Sequence, residues 1–93
     1  FMLINVLRPD SFAKVHIPMS VNIPIRLDGF DEKAADLIKD KNTNLVVHCS
    51  GPSWSSGGDA VGRLEELGYK NVFEYNGGLA DWLKARKPVI RGE

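Results

Sequence analysis

A second cysteine is missing from this chain. Cys49 stands alone, so no internal disulfide can staple the fold and stability must come from packing. That usage suits a reducing, cytoplasmic compartment. Histidine is almost as scarce. His16 and His48 are the two present, and neither sits at zinc-ligand spacing from a second strong ligand, so no metal is expected. An excess of charge of one sign is also lacking: twelve basic and twelve acidic residues cancel. The balance removes the electrostatic case for nucleic acid or an anionic membrane as partner. No apolar run approaches the ~20 residues that span a bilayer. The start has neither the basic flank nor the long apolar core of a secretory signal, although a chain that opens on Phe1 rather than Met says little about targeting. Ninety-three residues leave no room for a second core. No repeat, linker or low-complexity tract interrupts them, so one domain over residues 1–93, acting as a monomer, is expected.

What is present alternates between two periodicities. Met2 to Leu7, Ser20 to Ile23, Leu45 to His48 and Asn71 to Tyr75 are short, branched-rich runs that read as strands. Between them lie helical segments. Pro9 to Ala13 forms a short turn with Pro in a favoured first position. Asp31 to Lys39 places Ala34, Ala35, Leu37 and Ile38 on one face, with Asp31 or Asp28 as cap. About Gly58 to Leu67 repeats Ala60, Val61, Leu64 and Leu67, with Arg63, Glu65 and Glu66 outward and Gly68 as the stop. Gly77-Gly78 opens a last helix carrying Leu79, Trp82 and Leu83, and Pro88 is read as the end of regular structure. Phe73 and Trp82 are expected in the core. Such alternation predicts an α/β domain with a mainly parallel central sheet and helices on both faces.

In sheets of that kind ligands bind at the carboxyl ends of the strands, and Cys49 occupies one such end. It closes Leu45-Val46-Val47-His48 and is followed by a loop of small residues, Ser50-Gly51-Pro52-Ser53-Trp54-Ser55-Ser56, and then a helix. The nucleophilic form of cysteine is the thiolate. Backbone N–H groups in a curled loop before a helix N-terminus stabilise an anion. The candidate donors are the amides of Ser50, Gly51, Ser53, Trp54 and Ser55; Pro52 has no N–H and gives shape only. Context alone leaves Cys49 open between a reactive thiol and a small buried hydrophobe.

Four stretches of the chain resemble the rhodanese-like (thiosulfate sulfurtransferase) superfamily. Residues 3–12 resemble its LIDVREPEEF stretch. Residues 16–24 resemble HIPGAINIP, and residues 46–49 are similar to VVYC. Residues 67–72 with 77–82 are similar to LGYKNV and GGIEAW. The resemblance covers nearly the whole chain in order, and begins late, as if the first strand and helix of the usual domain were absent. It implies a sulfurtransferase in which Cys49 attacks a sulfane-sulfur donor, becomes a persulfide and passes the outer sulfur to a thiol acceptor, small or protein-borne, without a cofactor. Residues 50–55 would then form the anion-holding loop.

The loop departs from the family's CRxGxR pattern. It has no Arg, Lys or His, and it is longer. Ser50-Gly51-Pro52-Ser53 fits a long-loop subgroup resembling CxGPxCN, which often has a second cysteine where this chain has Trp54. No resolving thiol is present, and Asp59 stands where the subgroup often has Lys. Thiosulfate, a dianion, is therefore expected to be a poor donor. A cysteine phosphatase or arsenate reductase would need an Arg at the position of Ser55, so those activities are not expected. A binding or regulatory module without turnover is the alternative. Trp54 is read either as a wall of the pocket or as a cover for the core. By strand alternation His48 is expected to point away from the thiol. His16 is expected to hold its loop by hydrogen bonding, and Asn5, where the family has Asp, to be structural. Arg8 and Arg26 lie near strand ends, within reach of an anion, and are expected to be solvated.

Overall fold

The computed structural model describes residues 1–51 and 55–92. Its elements run in the order β1 (Met2–Asn5), α1 (Pro9–Lys14), β2 (Val15–His16), β3 (Val21–Asn22), α2 (Phe30–Leu37), β4 (Asn44–His48), α3 (Ser56–Glu66), β5 (Asn71–Glu74), α4 (Gly78–Lys84) and β6 (Ile90–Arg91). Among the described residues the main sheet has the order β3-β1-β4-β5, and every pairing in it is parallel. Ile4 lies beside Val47, and Val47 beside Glu74.

That order contains a reversal. From β1 the chain crosses one way to β3; from β4 it crosses the other way to β5. Because parallel crossovers are right-handed, the reversal sends α1 to the face opposite α2 and α3. It also puts the switch point, where α/β sheets bind ligands, at the carboxyl ends of β1 and β4. Cys49 follows directly on β4.

One face of the sheet carries the main core. Ile4, Val6, Leu45, Val47 and Cys49 alternate inward and meet Phe30, Ala34 and Ile38 from α2 and its end, Ala60 and Leu64 of α3, and Tyr69. Tyr69 closes the far end of α2. Its hydroxyl donates to the carbonyl of Ile38 (2.7 Å), which the helix end otherwise leaves unpaired, and lies 3.2 Å from the carbonyl of Ala34, which already accepts the Ile38 amide. Gly68 ends α3 with φ +97°. The Gly68 amide bonds the Glu65 carbonyl and the Tyr69 amide the Leu64 carbonyl, the paired arrangement of a Schellman stop.

Several expectations need correction. Gly29, at φ 91°, precedes α2 without any side-chain cap, and Asp31 instead forms a two-point ion pair with Arg63 of α3. That pairing holds the Asp31 carboxyl below its ordinary range and raises the Arg63 guanidinium. Ala35 and Leu37 are exposed, so the inward stripe of α2 is Phe30, Ala34 and Ile38, a narrower i, i+4 row. Phe73 is 57% exposed on the edge strand β5. Trp82 is half-buried: its indole N–H donates to the Pro88 carbonyl and Lys87 lies over its ring. Regular structure does not end at Pro88, since β6 pairs antiparallel with β2.

Candidate active site

Cys49 is 3% exposed, with its sulfur 3.5 Å from the carbonyl oxygen of Gly51. Its backbone is gripped from two sides. The amide of Leu79 donates to the Cys49 carbonyl (2.9 Å) and the amide of Ala80 to the Ser50 carbonyl (2.7 Å). Both donors belong to the first turn of α4, whose N–H groups have no partner within the helix. In a trans peptide the N–H points opposite to the C=O. Fixing these two carbonyls on α4 therefore turns the amides of Ser50 and Gly51 the other way, away from that helix.

Gly78 makes this approach feasible. It sits at φ +62°, and a Cβ there would lie 2.5 Å from the Cys49 carbonyl oxygen and 2.9 Å from the Gly51 nitrogen. No side chain fits between α4 and the start of the loop. Sequence reasoning took Gly77-Gly78 only as a helix opening; the second glycine is also the seat of the cysteine's backbone.

His48 is fully buried. A carbonyl only accepts, so its Nδ1–H donates to the Cys49 carbonyl at 3.2 Å, the second donor on that oxygen. Burial pushes its pKa below the ordinary value, and the hydrogen bond opposes that shift. Its Nε2 has no hydrogen-bond partner among the described residues, and neither does Nδ2 of Asn5, its register neighbour on β1. Successive strand residues face opposite sides, so the imidazole points away from the Cys49 side chain. Asn5 is hydrogen-bonded within the fold: its Oδ1 accepts from the Leu7 amide (2.9 Å) and from Nδ2 of Asn22 (3.3 Å). His16 stacks on Phe12 and its Nδ1 donates to the Phe12 carbonyl (2.8 Å).

Of the predicted loop donors, Ser50, Gly51 and Ser55 are described; Ser53 and Trp54 lie outside the described residues, as does Pro52. Ser55 precedes α3 without capping it through its side chain. Its hydroxyl oxygen instead accepts from Nη2 of Arg26 at 2.9 Å, and the same nitrogen is 2.8 Å from Oδ2 of Asp59 in the first turn of α3. Arg26 is thus tied to the loop and not simply solvated. Arg8 pairs loosely with Asp10 (3.8 Å), and Arg63 is committed to Asp31. Among the described residues no group of acidic, histidine or cysteine side chains is arranged to hold a metal. Among the described residues no helix is long and apolar enough to cross a membrane.

A family model described as the rhodanese-like domain matches residues 1–85. The chain is 33% identical over 91 residues to a thiosulfate:glutathione sulfurtransferase of Saccharomyces cerevisiae, covering 88% of this chain and 64% of that one. It is 35% identical over 89 residues to the thiosulfate sulfurtransferase PspE of Escherichia coli, covering 96% and 78%. Among solved structures, an E. coli rhodanese with anions superposes with a TM-score of 0.76 at 31% identity, over 98% of each chain. The chain spans just under two thirds of the yeast relative's length.

Proposed function

Because the chain belongs to the rhodanese-like family, we propose that it is a sulfurtransferase carrying sulfane sulfur as a persulfide on Cys49. The observation that carries this reading is the placement of Cys49 at the switch point of a parallel sheet, its carbonyl held by Leu79 and His48 and the Ser50 carbonyl by Ala80. That bracing presents the amides of Ser50 and Gly51 to an anion, and Ser53, Trp54 and Ser55 complete the proposed loop. The first step is attack of the Cys49 thiolate on the outer sulfur of the donor, forming Cys–S–S⁻ as the donor's own S–S bond breaks. In the second step an acceptor thiolate takes that outer sulfur and Cys49 returns to the thiolate. Splitting one transfer into two steps is nucleophilic catalysis. With Cys49 the single cysteine of these 93 residues, the proposed acceptor thiol is not one of this domain's own side chains. The yeast relative's name supplies a plausible class, a glutathione-like thiol.

Thiosulfate sits at the edge of this reading. Relatives are named for it, yet residues 50–55 carry no basic side chain, and a dianion in a loop held by amides alone is less well compensated than one gripped by guanidinium groups. Low-molecular-weight or protein-bound persulfides are the better donors, used by a monomer in a reducing compartment.

Intact-mass measurement tests the reading. After incubation with a sulfane-sulfur donor the protein should gain one sulfur, cyanide should remove it, and Cys49→Ser should never acquire it. Failure to gain sulfur from any donor would favour a binding module built on the same fold.

A further inference from the structure

Arg26 belongs to the segment between β3 and α2, far in sequence from the nucleophile, yet it spans to the far end of the Cys49 loop. Its contacts with Ser55 and Asp59 both use Nη2, one nitrogen of a guanidinium that offers five N–H donors in a planar fork. Both members of the ion pair are about half exposed, 52% and 49%, so water screens the pair and opening it is cheap. Among the described residues, hydrogen bonds and ion pairs bring Arg26 alone of the cations to the residues of this loop and the first turn of the helix it leads into. It arrives already partnered by a carboxylate.

We propose that Arg26 is the specificity-determining residue for anionic sulfur donors and that Asp59 restrains it. Swung from Asp59, the guanidinium receives the sulfonate end of thiosulfate while the Cys49 thiolate attacks the outer sulfur. A new S–S bond forms at Cys49, the S–S bond of thiosulfate breaks, and sulfite leaves with its electron pair; no oxidant or reductant is required. Asp59 competes with the incoming dianion for one cation, and its own charge opposes the donor's approach. A donor without a sulfonate has no need of Arg26, so the pair tilts the site toward persulfides. The inference rests on the reading of Cys49 as the sulfur acceptor.

The test compares thiosulfate with cysteine persulfide as donors, following sulfite release and the mass of the Cys49 adduct. Asp59→Asn should lower the KM for thiosulfate, and Arg26→Gln should raise it, each with the larger effect in KM than in kcat. The ratio of kcat/KM for thiosulfate to that for cysteine persulfide should fall about tenfold in Arg26→Gln, the scale of one charge-assisted hydrogen bond in a partly exposed site. Arg26→Lys should fall between, since an ammonium keeps the charge without the fork. Thermal melts alongside establish that each variant is folded. Sulfur uptake from both donors with the thiosulfate KM unmoved in Arg26→Gln and Asp59→Asn would overturn this inference alone. No uptake from either donor in the unaltered protein would overturn the reading beneath it as well.

Discussion

Two neighbouring residues, His48 and Cys49, meet opposite demands. In the proposed role Cys49 presents its sulfur to a donor, whereas His48 is fully buried with a hydrogen bond to the Cys49 carbonyl. Burial penalises the charged imidazolium, so the native pKa lies below the ordinary 6.5. Below pH 6.5 the unfolded chain binds a proton on His48 that the native state refuses. Stability is therefore full above that pH and falls as pH drops toward the native pKa, by at most ~1.4 kcal/mol per pH unit for one proton. Urea midpoints at pH 7.5 and pH 5.5 should differ more in the parent protein than in His48→Gln; parallel pH profiles would show that His48 is not the group responsible. The setting of Cys49, the proposed nucleophile, was legible in the sequence because strand, small-residue loop and helix are contiguous around it. Arg26 was not: its partners Ser55 and Asp59 lie some thirty residues on, and no periodicity links residues that only the tertiary fold brings together.

At the scale of elements, α4 matters more for where it begins than for what it buries. Its first turn holds the carbonyls of Cys49 and Ser50, and Gly78 lets it come close enough. Gly78→Ala meets two penalties, a left-handed backbone that costs a non-glycine residue ~1–2 kcal/mol and a methyl group driven into the Cys49 carbonyl. Gly68→Ala meets the first penalty without the second, because nothing lies within 4 Å of a Cβ there. Both variants should melt earlier than the parent, but only Gly78→Ala should also lose most of its persulfide formation per folded molecule. Equal sulfur uptake in the two would mean that the α4 contact does not govern the loop. The helices were readable, although the buried stripe of α2 is narrower than its spacing suggested, and of the two-residue strands only β3, inside the Ser20-to-Ile23 run, was. β2 and β6 are too short to show alternation, and Pro88 read as a terminator when it stands just before β6. Phe73 was misplaced because a branched, aromatic run looks alike in a central and an edge strand.

For the whole molecule, the α/β class with a mainly parallel sheet was legible from the alternation of strands and helices, and Cys49 was placed after a strand. What the sequence concealed was the reversal that sets the switch point, since strand order depends on pairings between distant segments. In the central pair, Met2 lies beside Leu45 and Asn5 beside His48, which are separated by some forty residues of chain. Non-local pairing of this kind slows folding to the millisecond-to-second range. Stopped-flow refolding should fall in that window, and completion within microseconds would mean that local structure dominates the barrier.

The same separation sets an order of events during synthesis. Residues 2–5 leave the ribosome well before residues 45–48, by about 2–9 s at ordinary elongation rates of ~5–20 residues per second. Through that interval β1 lacks its central partner, although its other neighbour, β3, has already been made. The thiol is translated immediately after the strand that supplies that partner. Cys49 gains its buried setting only later, once Ala60, Leu64 and Tyr69 join its core cluster and Leu79 and Ala80 brace its backbone, so a chain stalled just after residue 49 would carry the thiol without the setting that buries it.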